Sequence, residues 1–525
     1  MPTMRWNGWG DPDRAAPLPD SVVGLLRELL GVRPDPVPPV PLAEVAPPAP
    51  APVVRALTEI VGPDAVLTDD EARIRHTRGK STPDLLRIRA GDAGAAPDAV
   101  VLPAGHEEVL AVLDRCSRER VAVVPFGGGT SVVGGLAAAG EGFAGVVALD
   151  LRRLDRVTAL DTVARTATLQ AGLRAPRAEA LLAERGFTLG HYPQSYEWAT
   201  IGGFAATRSS GQASAGYGRF DEMVAGLTVA TPRGTLTLGR APKSAAGPDL
   251  RELVLGSEGA FGVITDVTVR IRPLPEQRRY EGWRFPTFAE GTAAVRALAQ
   301  DGPMPTVLRL SDETETMIGL ARPGEIGGTH GGGCLAVCGY EGGPDDVAAR
   351  RAGAHAALTA HGGEPLGDAP GESWAAGRYS APYLRDALLD VGAFAETLET
   401  AGFWSALPRL ADAVRQTLSR ELPSSLVMCH ISHVYRDGAS LYFTVVTAQG
   451  DDPVGRWRRA KAAVSDAIVE AGGTITHHHG VGTDHRAWLA REIGPLGVDV
   501  LRAVKDRLDP AGILNPGVLI PPAGG

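Results

Sequence analysis

Three adjacent imidazoles and one run of glycines are the features of this 525-residue chain whose residue types and spacing could do chemistry. The glycine run reads Pro125, Phe126, Gly127, Gly128, Gly129, Thr130, Ser131, followed by Val132, Val133, Gly134 and Gly135. Consecutive glycines after an apolar run let the backbone turn tightly and aim several N–H groups into one concavity, which suits a pyrophosphate. The run lacks the lysine of a P-loop and the spacing of the Rossmann fingerprint, so alone it reads equally as a phosphate cradle or a flexible turn. The second cluster is Thr476, His477, His478, His479, Gly480, Val481, Gly482. At a strand end His477 and His479 would face one way and His478 the other, so three imidazoles could not converge on one atom without a bend. No metal is therefore expected, although His485 nearby keeps one open, and histidines satisfied at a strand end are the alternative.

The elements that must hold these groups follow from hydrophobic period. Residues 98–103, 106–120 and 121–126 read as strand, helix and strand leading into the glycines, with further strands at 145–151, 166–172, 226–238 and 261–274 and a turn at Thr231–Gly234. After Pro275 helical stretches at 287–300, 344–362 and 405–422 alternate with strands at 334–340, 425–435 and 440–448, which predicts a second α+β domain. A short helix at 21–32 is followed by a Pro- and Ala-rich stretch, 33–53, expected to be an extended spacer. A chain this long should carry two or more cores and has room for a large buried cofactor. The expected division is 1–54 (helix and linker), 55–275, and 276–525 with its C-terminal segment returning to the preceding domain.

Net charge of -9 with dispersed basic residues argues against nucleic acid as partner. Cys116, Cys334, Cys338 and Cys429 are too few and too irregular for a disulfide framework or zinc site and fit a reducing compartment. With no basic leader, and no apolar run of about 18 residues, a cytoplasmic location is expected, with contact at the inner membrane face left open.

Around the glycines, residues 190–208 (GHYPQSYEWATIGGFAATR), the following SSG, and 247–264, ending GSEGAFGVI, are built from small and hydroxyl residues where a core would use Leu or Ile. Backbone passing close to a planar ring system and its phosphates would require this. The order VPFGGGTS, PQSYEWATIGG, TRSSG, GSEGAFGVIT resembles the FAD-binding domain of the vanillyl-alcohol-oxidase superfamily over about residues 100–275. The fold this implies is α+β: a two-subdomain FAD-binding domain of the p-cresol methylhydroxylase (PCMH) type followed by an α+β cap, or substrate, domain. By that likeness Pro125, Phe126, Gly127, Gly128, Gly129, Thr130 and Ser131 hold the pyrophosphate. Gln194, Ser195, Tyr196, Glu197, Trp198, Ala199, Thr200, Ala206, Thr207, Arg208, Ser209, Glu258, Gly259, Ala260, Phe261, Gly262, Val263 and Ile264 line the adenosine and flavin. Members that tether FAD covalently commonly place a His in the glycine loop; Thr130 stands here instead, which implies non-covalent FAD.

Over nearly the whole chain TITHHHGVGTDHRAWL (474–489), MRWNGWG (4–10), APYLRDALLD (381–390) and FAETLET (394–400) are similar to the alkyldihydroxyacetonephosphate synthase family, in its bacterial branch. The resemblance implies a transferase of ether-lipid synthesis that exchanges the acyl group of acyl-dihydroxyacetone phosphate for a fatty alcohol, with flavin N5 holding the substrate carbon between the two steps. It implies Tyr442 as the group that takes the C1 proton, His477, His478 and His479 as its helpers, and Arg385, Arg309 and His191 as substrate-binding residues. It also implies a lipid-like substrate, with peripheral membrane contact and a homodimer left open. On the residues alone Tyr442 could be an ordinary strand aromatic, and Arg385 could pair with Asp386 or Asp390. Tyr192, Pro193, Gln194 stand where the eukaryotic members have Glu-Pro-Asp, so two carboxylates are missing beside the flavin. An FAD-linked oxidoreductase acting on a 2-hydroxy acid shares the fold and is the alternative; the ending DRLDPAGILNPGVLI fits both.

Overall fold

The computed structural model describes residues 3–52, 54–137, 139–319 and 332–522. Val53, which ends the Pro-rich stretch, and the last three residues of the tail lie outside the described residues. Four sheets are present among them. The first has the order Val66–Leu67, Ala99–Val101, Gly145–Asp150, Val121–Phe126, and the last two pair in parallel. Its crossover is the helix His106–Glu119, which buries Val109, Val112, Leu113 and Cys116. That i, i+3, i+4, i+7 stripe is the face a helix turns to a core. The Val121–Phe126 strand is apolar along its length because it is covered on both sides, and it delivers the chain directly into the glycines.

The second sheet is antiparallel, Val157–Asp161, Thr166–Gln170, Val263–Arg270, Val224–Thr231, Gly234–Leu238, with the expected turn between the last two. A two-stranded ladder joins Phe187–Thr188 to Arg272–Pro273. The seven-stranded sheet is antiparallel throughout, in the order Glu364–Gly367, Gln277–Phe285, Cys334–Gly342, Val307–Ser311, Leu426–Ile431, Gly438–Ala448, Ala393–Phe403. Its Leu308, Leu310, Cys429, Ile431, Leu441, Phe443 and Leu398 pack on Val295, Leu298, Leu410, Val414, Trp457 and Val464 of the covering helices. Since side chains alternate along a strand, the residues between them must face the other way. Those residues are Arg309, Ser311, His430, Tyr442 and Glu399.

One departure from expectation concerns the N-terminal segment. The Pro-rich stretch is extended but not free: Val40 N–H donates to the Arg89 carbonyl at 2.8 Å, Ala51 N–H to Asp98 Oδ1 at 2.8 Å, and Val45 is buried beside Ile74 and Leu85. Periodic Val and Leu among the prolines supply that packing, so the segment is a strap on the body instead of a spacer. The long C-terminal helix Arg486–Leu508 is two helices merged across Gly494, where φ is 76°.

The C-terminal residues tie the sheets together. Val123 N–H donates to the Ile513 carbonyl and Asn515 N–H to the Val123 carbonyl, both at 2.8 Å, adding a rung beside the Val121–Phe126 strand. Asn515 Nδ2 donates to the carbonyls of Gly135 (3.0 Å) and Glu258 (2.7 Å). The buried Glu258 side chain accepts the N–H groups of Val481 (2.9 Å) and Gly482 (2.9 Å), joining the histidine segment to the glycine-rich domain. Burial pushes its carboxyl up to about 7 even though those amides pull it down. Between the unfolded value near 4.5 and that of about 7 the folded state therefore keeps a proton that the unfolded chain has lost, and stability falls as pH rises across this window. Chemical denaturation of wild type and Glu258→Gln from pH 4.5 to 8 should show the variant gaining, relative to wild type, about 3 kcal/mol by the alkaline end; parallel profiles would contradict this placement.

Candidate active site

The glycine run forms the floor of one large cavity of about 400 Å³. Gly128 abuts the Trp198 carbonyl and Gly127 the Thr200 hydroxyl so closely that a Cβ at either would overlap them. Gly129 has φ of 69°, a left-handed geometry that glycine takes without strain. Among the described residues the amides from Gly127 to Ser131 donate to no acceptor of the chain. N–H groups that line a cavity without partners in the chain are open to an acceptor from outside, and a row of them beside a strand end fits a pyrophosphate. The fit to a flavin dinucleotide is thus met by this chain's own backbone.

Pro125 through Ser131 all line the cavity, as do Gln194, Ser195, Ala199, Thr200, Ala206, Thr207, Ser209, Glu258, Gly259, Gly262, Val263 and Ile264. Six residues expected with them do not. Tyr196 stacks on Tyr379 (5.3 Å between ring centroids), Glu197 pairs with Arg14, and Trp198 lies under the Arg174 guanidinium. Arg208 joins Asp221 and Glu252, while Ala260 and Phe261 pack with Ile475 and Leu489. Each lies beside a lining residue or within one turn of it, so side chains outside the cavity had been counted with those that line it.

Opposite the glycines, the inner face of the seven-stranded sheet presents a polar row fixed by register: Ser311 faces His430, His430 faces Tyr442, and Tyr442 faces Glu399. His430 stacks on Tyr442 with centroids 4.8 Å apart, and its Nδ1 lies 2.8 Å from Glu315 and 2.9 Å from Arg309, which is itself ion-paired with Glu315. Burial and the Arg309 charge keep His430 below its ordinary value, although Glu315 opposes them.

The buried Glu399 carboxylate organises the histidine segment. It accepts the Thr476 hydroxyl (2.7 Å) and the backbone N–H groups of His477 (2.6 Å), His478 (3.2 Å) and His479 (3.0 Å). Burial alone would raise this acid; the charge that His478, His479 or His477 carries when protonated, and the Thr476 hydroxyl, hold it well below the usual carboxylate range. The segment is consequently a loop and not a strand end, and the expectation of alternating faces is corrected. His477 Nε2 meets the Tyr435 hydroxyl at 2.7 Å and its Nδ1 meets His478 Nδ1 at 3.0 Å, so only one of that last pair carries a proton. The chain Tyr435, His477, His478 can run in either polarity, leaving His478 Nε2 as its free end. Ring nitrogens of His433, His477 and His478 lie within 4.8 Å of one another, a group that brings in His433 and leaves out His479. His433 Nδ1 is already within 3.0 Å of the Ser210 hydroxyl and 2.8 Å of the Ser214 hydroxyl.

Tyr442, His478 and His479 line the cavity; His477 stands behind them. The phenol keeps its proton, since burial pushes it up to about 12, and burial pushes the three imidazoles of the segment down, His479 to about 3, which leaves them open to accept one. They are neutral bases. Arg309 and Arg385 line the cavity, but Arg385 is paired with Asp386 at 3.0 Å and donates to the Lys80 carbonyl at 2.5 Å. His191 does not line it: buried between Phe204 and Phe220, with Nε2 3.0 Å from the Ser209 hydroxyl, it supports that wall from behind, and burial holds it neutral at about 3. Sequence reasoning missed Trp9, Glu315, Arg378, His430 and His433, as well as the part played by Glu399. A signal for Glu399 was present, because carboxylates such as Glu396 and Glu399 within the buried strand Ala393–Phe403 are costly to bury without partners.

Residues 97–239 match the family described as FAD binding domain, and residues 274–519 that of FAD linked oxidases, C-terminal domain. The chain is 33% identical to alkyldihydroxyacetonephosphate synthase of Dictyostelium discoideum over 99% of its own length and 93% of that protein. It is 33% identical to the synthase of Trypanosoma brucei brucei over 99% of this chain and 92% of the other. A solved alkyldihydroxyacetonephosphate synthase superposes with a TM-score of 0.82 at 31% identity, covering 98% of each chain. Among the described residues no helix is long and apolar enough to cross a membrane. Two matched domains that meet at one cavity, and relatives aligned from end to end, make this chain a member of the alkyldihydroxyacetonephosphate synthase family of FAD-dependent enzymes.

Proposed function

We propose that the chain exchanges the acyl ester of acyl-dihydroxyacetone phosphate for the alkyl ether of a fatty alcohol, releasing the fatty acid. The observation that carries this reading is the meeting, in one cavity, of the unpartnered Gly127–Ser131 amides with the Tyr442, His478 and His479 side chains. FAD, held without a covalent bond, supplies at its N5 the nucleophile and leaving group for the exchange. The chain's own residues move the proton and exclude water. Tyr442 starts protonated and gains its basic form by passing a proton to a neutral imidazole bordering it; His478, through His477 and Tyr435, has a route to take that proton away from the cavity. Glu399 keeps the imidazoles in place, and His430 with the Arg309–Glu315 pair holds the phenol ring from the other side. The substrate's alkyl chains come from a lipid surface, to which Leu25 and Leu29 on the helix Asp20–Leu30 are exposed.

Anaerobic addition of acyl-dihydroxyacetone phosphate should bleach the flavin, and a fatty alcohol should restore its colour without any electron acceptor; acid precipitation should leave the flavin in the supernatant. Bleaching by D-lactate with recovery only on adding a dye would select the oxidoreductase instead. Tyr442→Phe should lower kcat by about 10²–10⁴-fold, the usual worth of a proton-transfer group, while the flavin absorbance spectrum stays that of the folded holoenzyme. Glu399→Gln, which puts an amide against several backbone donors, should cost about 3 kcal/mol of stability in denaturant titrations and shift the pH dependence of kcat. If that variant melts and turns over like wild type, the carboxylate is not what seats the histidines.

A further inference from the structure

The MRWNGWG segment, residues 4–10, is a closed loop in which the Arg5 N–H donates to the Gly10 carbonyl at 2.8 Å. A stretch with no helix or strand of its own stays mobile unless it is tied down, and here four hydrogen bonds from cations tie it. The Met4 carbonyl accepts Arg75 Nη1 at 2.7 Å, those of Arg5 and Trp6 accept Lys80 Nζ at 3.1 Å each, and that of Asn7 accepts Arg89 Nε at 2.9 Å. The tip of the loop rests on the buried Asp386. The Trp9 N–H donates to Asp386 Oδ2 at 2.5 Å, and a Cβ at Gly8 would overlap that same oxygen. The φ of Gly8 is not left-handed, so close approach alone reserves the position for glycine. Asp386 Oδ1 in turn accepts Arg385 Nη2 at 3.0 Å and Nε at 3.3 Å, while Arg385 Nη1 donates to the Lys80 carbonyl at 2.5 Å. The Lys80 N–H donates to the Ser131 carbonyl at 2.7 Å, so loop, glycine run and Arg385 are joined through Lys80 and Asp386. Trp9 and Arg385 both line the cavity. A guanidinium has five N–H donors, and these three bonds leave Arg385 two.

We propose that the loop of residues 4–10 is a positioning element of the active site: by fixing Asp386 it holds the Arg385 guanidinium in the orientation that meets an anionic group in the cavity. A long side chain left to itself samples many rotamers, and ordering it on binding costs affinity. Held along its inner edge by acceptors that cannot follow the ligand, the fork is ordered beforehand. The pairing of Arg385 with Asp386 is then support for anion binding instead of competition with it. That the anion is the substrate's phosphate rests on the function proposed above; the part played by the loop does not.

A double-mutant cycle in equilibrium binding tests this without turnover. The purified FAD-loaded protein, its Gly8→Ala and Arg385→Ala variants and the double variant are titrated by calorimetry with glycerol 3-phosphate and, separately, with oxalate, an unreactive stand-in for a 2-hydroxy acid. Gly8 does not line the cavity, so its added methyl group reaches the ligand only by displacing Asp386. Gly8→Ala should weaken glycerol 3-phosphate about tenfold, the worth of one hydrogen bond to a charged group, with the flavin spectrum unchanged. In the Arg385→Ala background it should cost less than about twofold more, because nothing is left to position. In turnover with acyl-dihydroxyacetone phosphate the Gly8→Ala loss should fall on KM, with kcat within about threefold of wild type. Additive losses, wild-type affinity in Gly8→Ala, a fall in kcat alone, loss of flavin from Gly8→Ala, or wild type that binds neither probe would each overturn the proposal. Oxalate bound in place of glycerol 3-phosphate, with the same non-additivity, would uphold the loop and remove the transferase reading; glycerol 3-phosphate bound with additive losses would do the reverse. Should Gly8→Ala not fold, the cycle is run with Lys80→Met, which releases the Arg5 and Trp6 carbonyls, and the same outcomes decide.

Discussion

A single buried carboxylate sets the geometry on which the rest of the site depends. Glu399 sits on the inner face of a strand whose alternate residues are core, with no solvent to hydrate it. Its charge is tolerable only because three consecutive backbone amides and a hydroxyl converge on it, and that convergence bends residues 476–479 into a loop which sets His478 and His479 beside Tyr442 with His477 behind them. Breaking such an arrangement from one side leaves either a bare charge or several bare N–H groups, and both are costly. The histidines are therefore a consequence of the sheet: Glu399 is opposite Tyr442 by register, so whatever the carboxylate grips must lie over the phenol.

A second carboxylate plays the matching part from the other domain. Glu258, at a φ of 50°, accepts the amides that immediately follow the histidines, and its own carbonyl is held by Asn515. The loop is thus clamped at both ends, by Glu399 from the seven-stranded sheet and by Glu258 from the glycine-rich side. Cofactor floor and polar row are kept in register across the cavity by hydrogen bonds to rigid elements, which is the condition for a site whose donors need no rearrangement on binding.

The strands and helices were legible because their periods are clean: Val109, Val112, Leu113 and Cys116 mark one helical stripe, and Leu441, Phe443 and Val445 one face of a strand. The glycine loop was legible from composition. The histidine segment was misread for a physical reason. Thr474, Ile475 and Thr476 have the β-branched character of a strand, yet the Ile475 amide donates to Glu492 and the following ones to Glu399, so side-chain acceptors replaced a ladder partner. Local propensity could not reveal acceptors 17 and 78 residues away. His191 was misplaced for a related cause, since a likeness in sequence places a residue near a site without saying on which side of the wall its ring lies.

The electrostatics of the cavity divide its walls by task. On the inner sheet face Arg309 is paired with Glu315, the charge of Glu399 is met by the N–H groups of the histidine loop, and burial pushes the imidazoles toward their neutral form, which suits the region to moving a proton. A phenol pushed up to about 12 among neutral bases holds its proton until a reacting group makes transfer favourable, which protects the cavity from idle ionisation. Proton-handling groups are thereby kept on the seven-stranded sheet and the histidine loop, while the unpartnered amides stand on the opposite, glycine-rich wall, so a change on one side need not disturb the other.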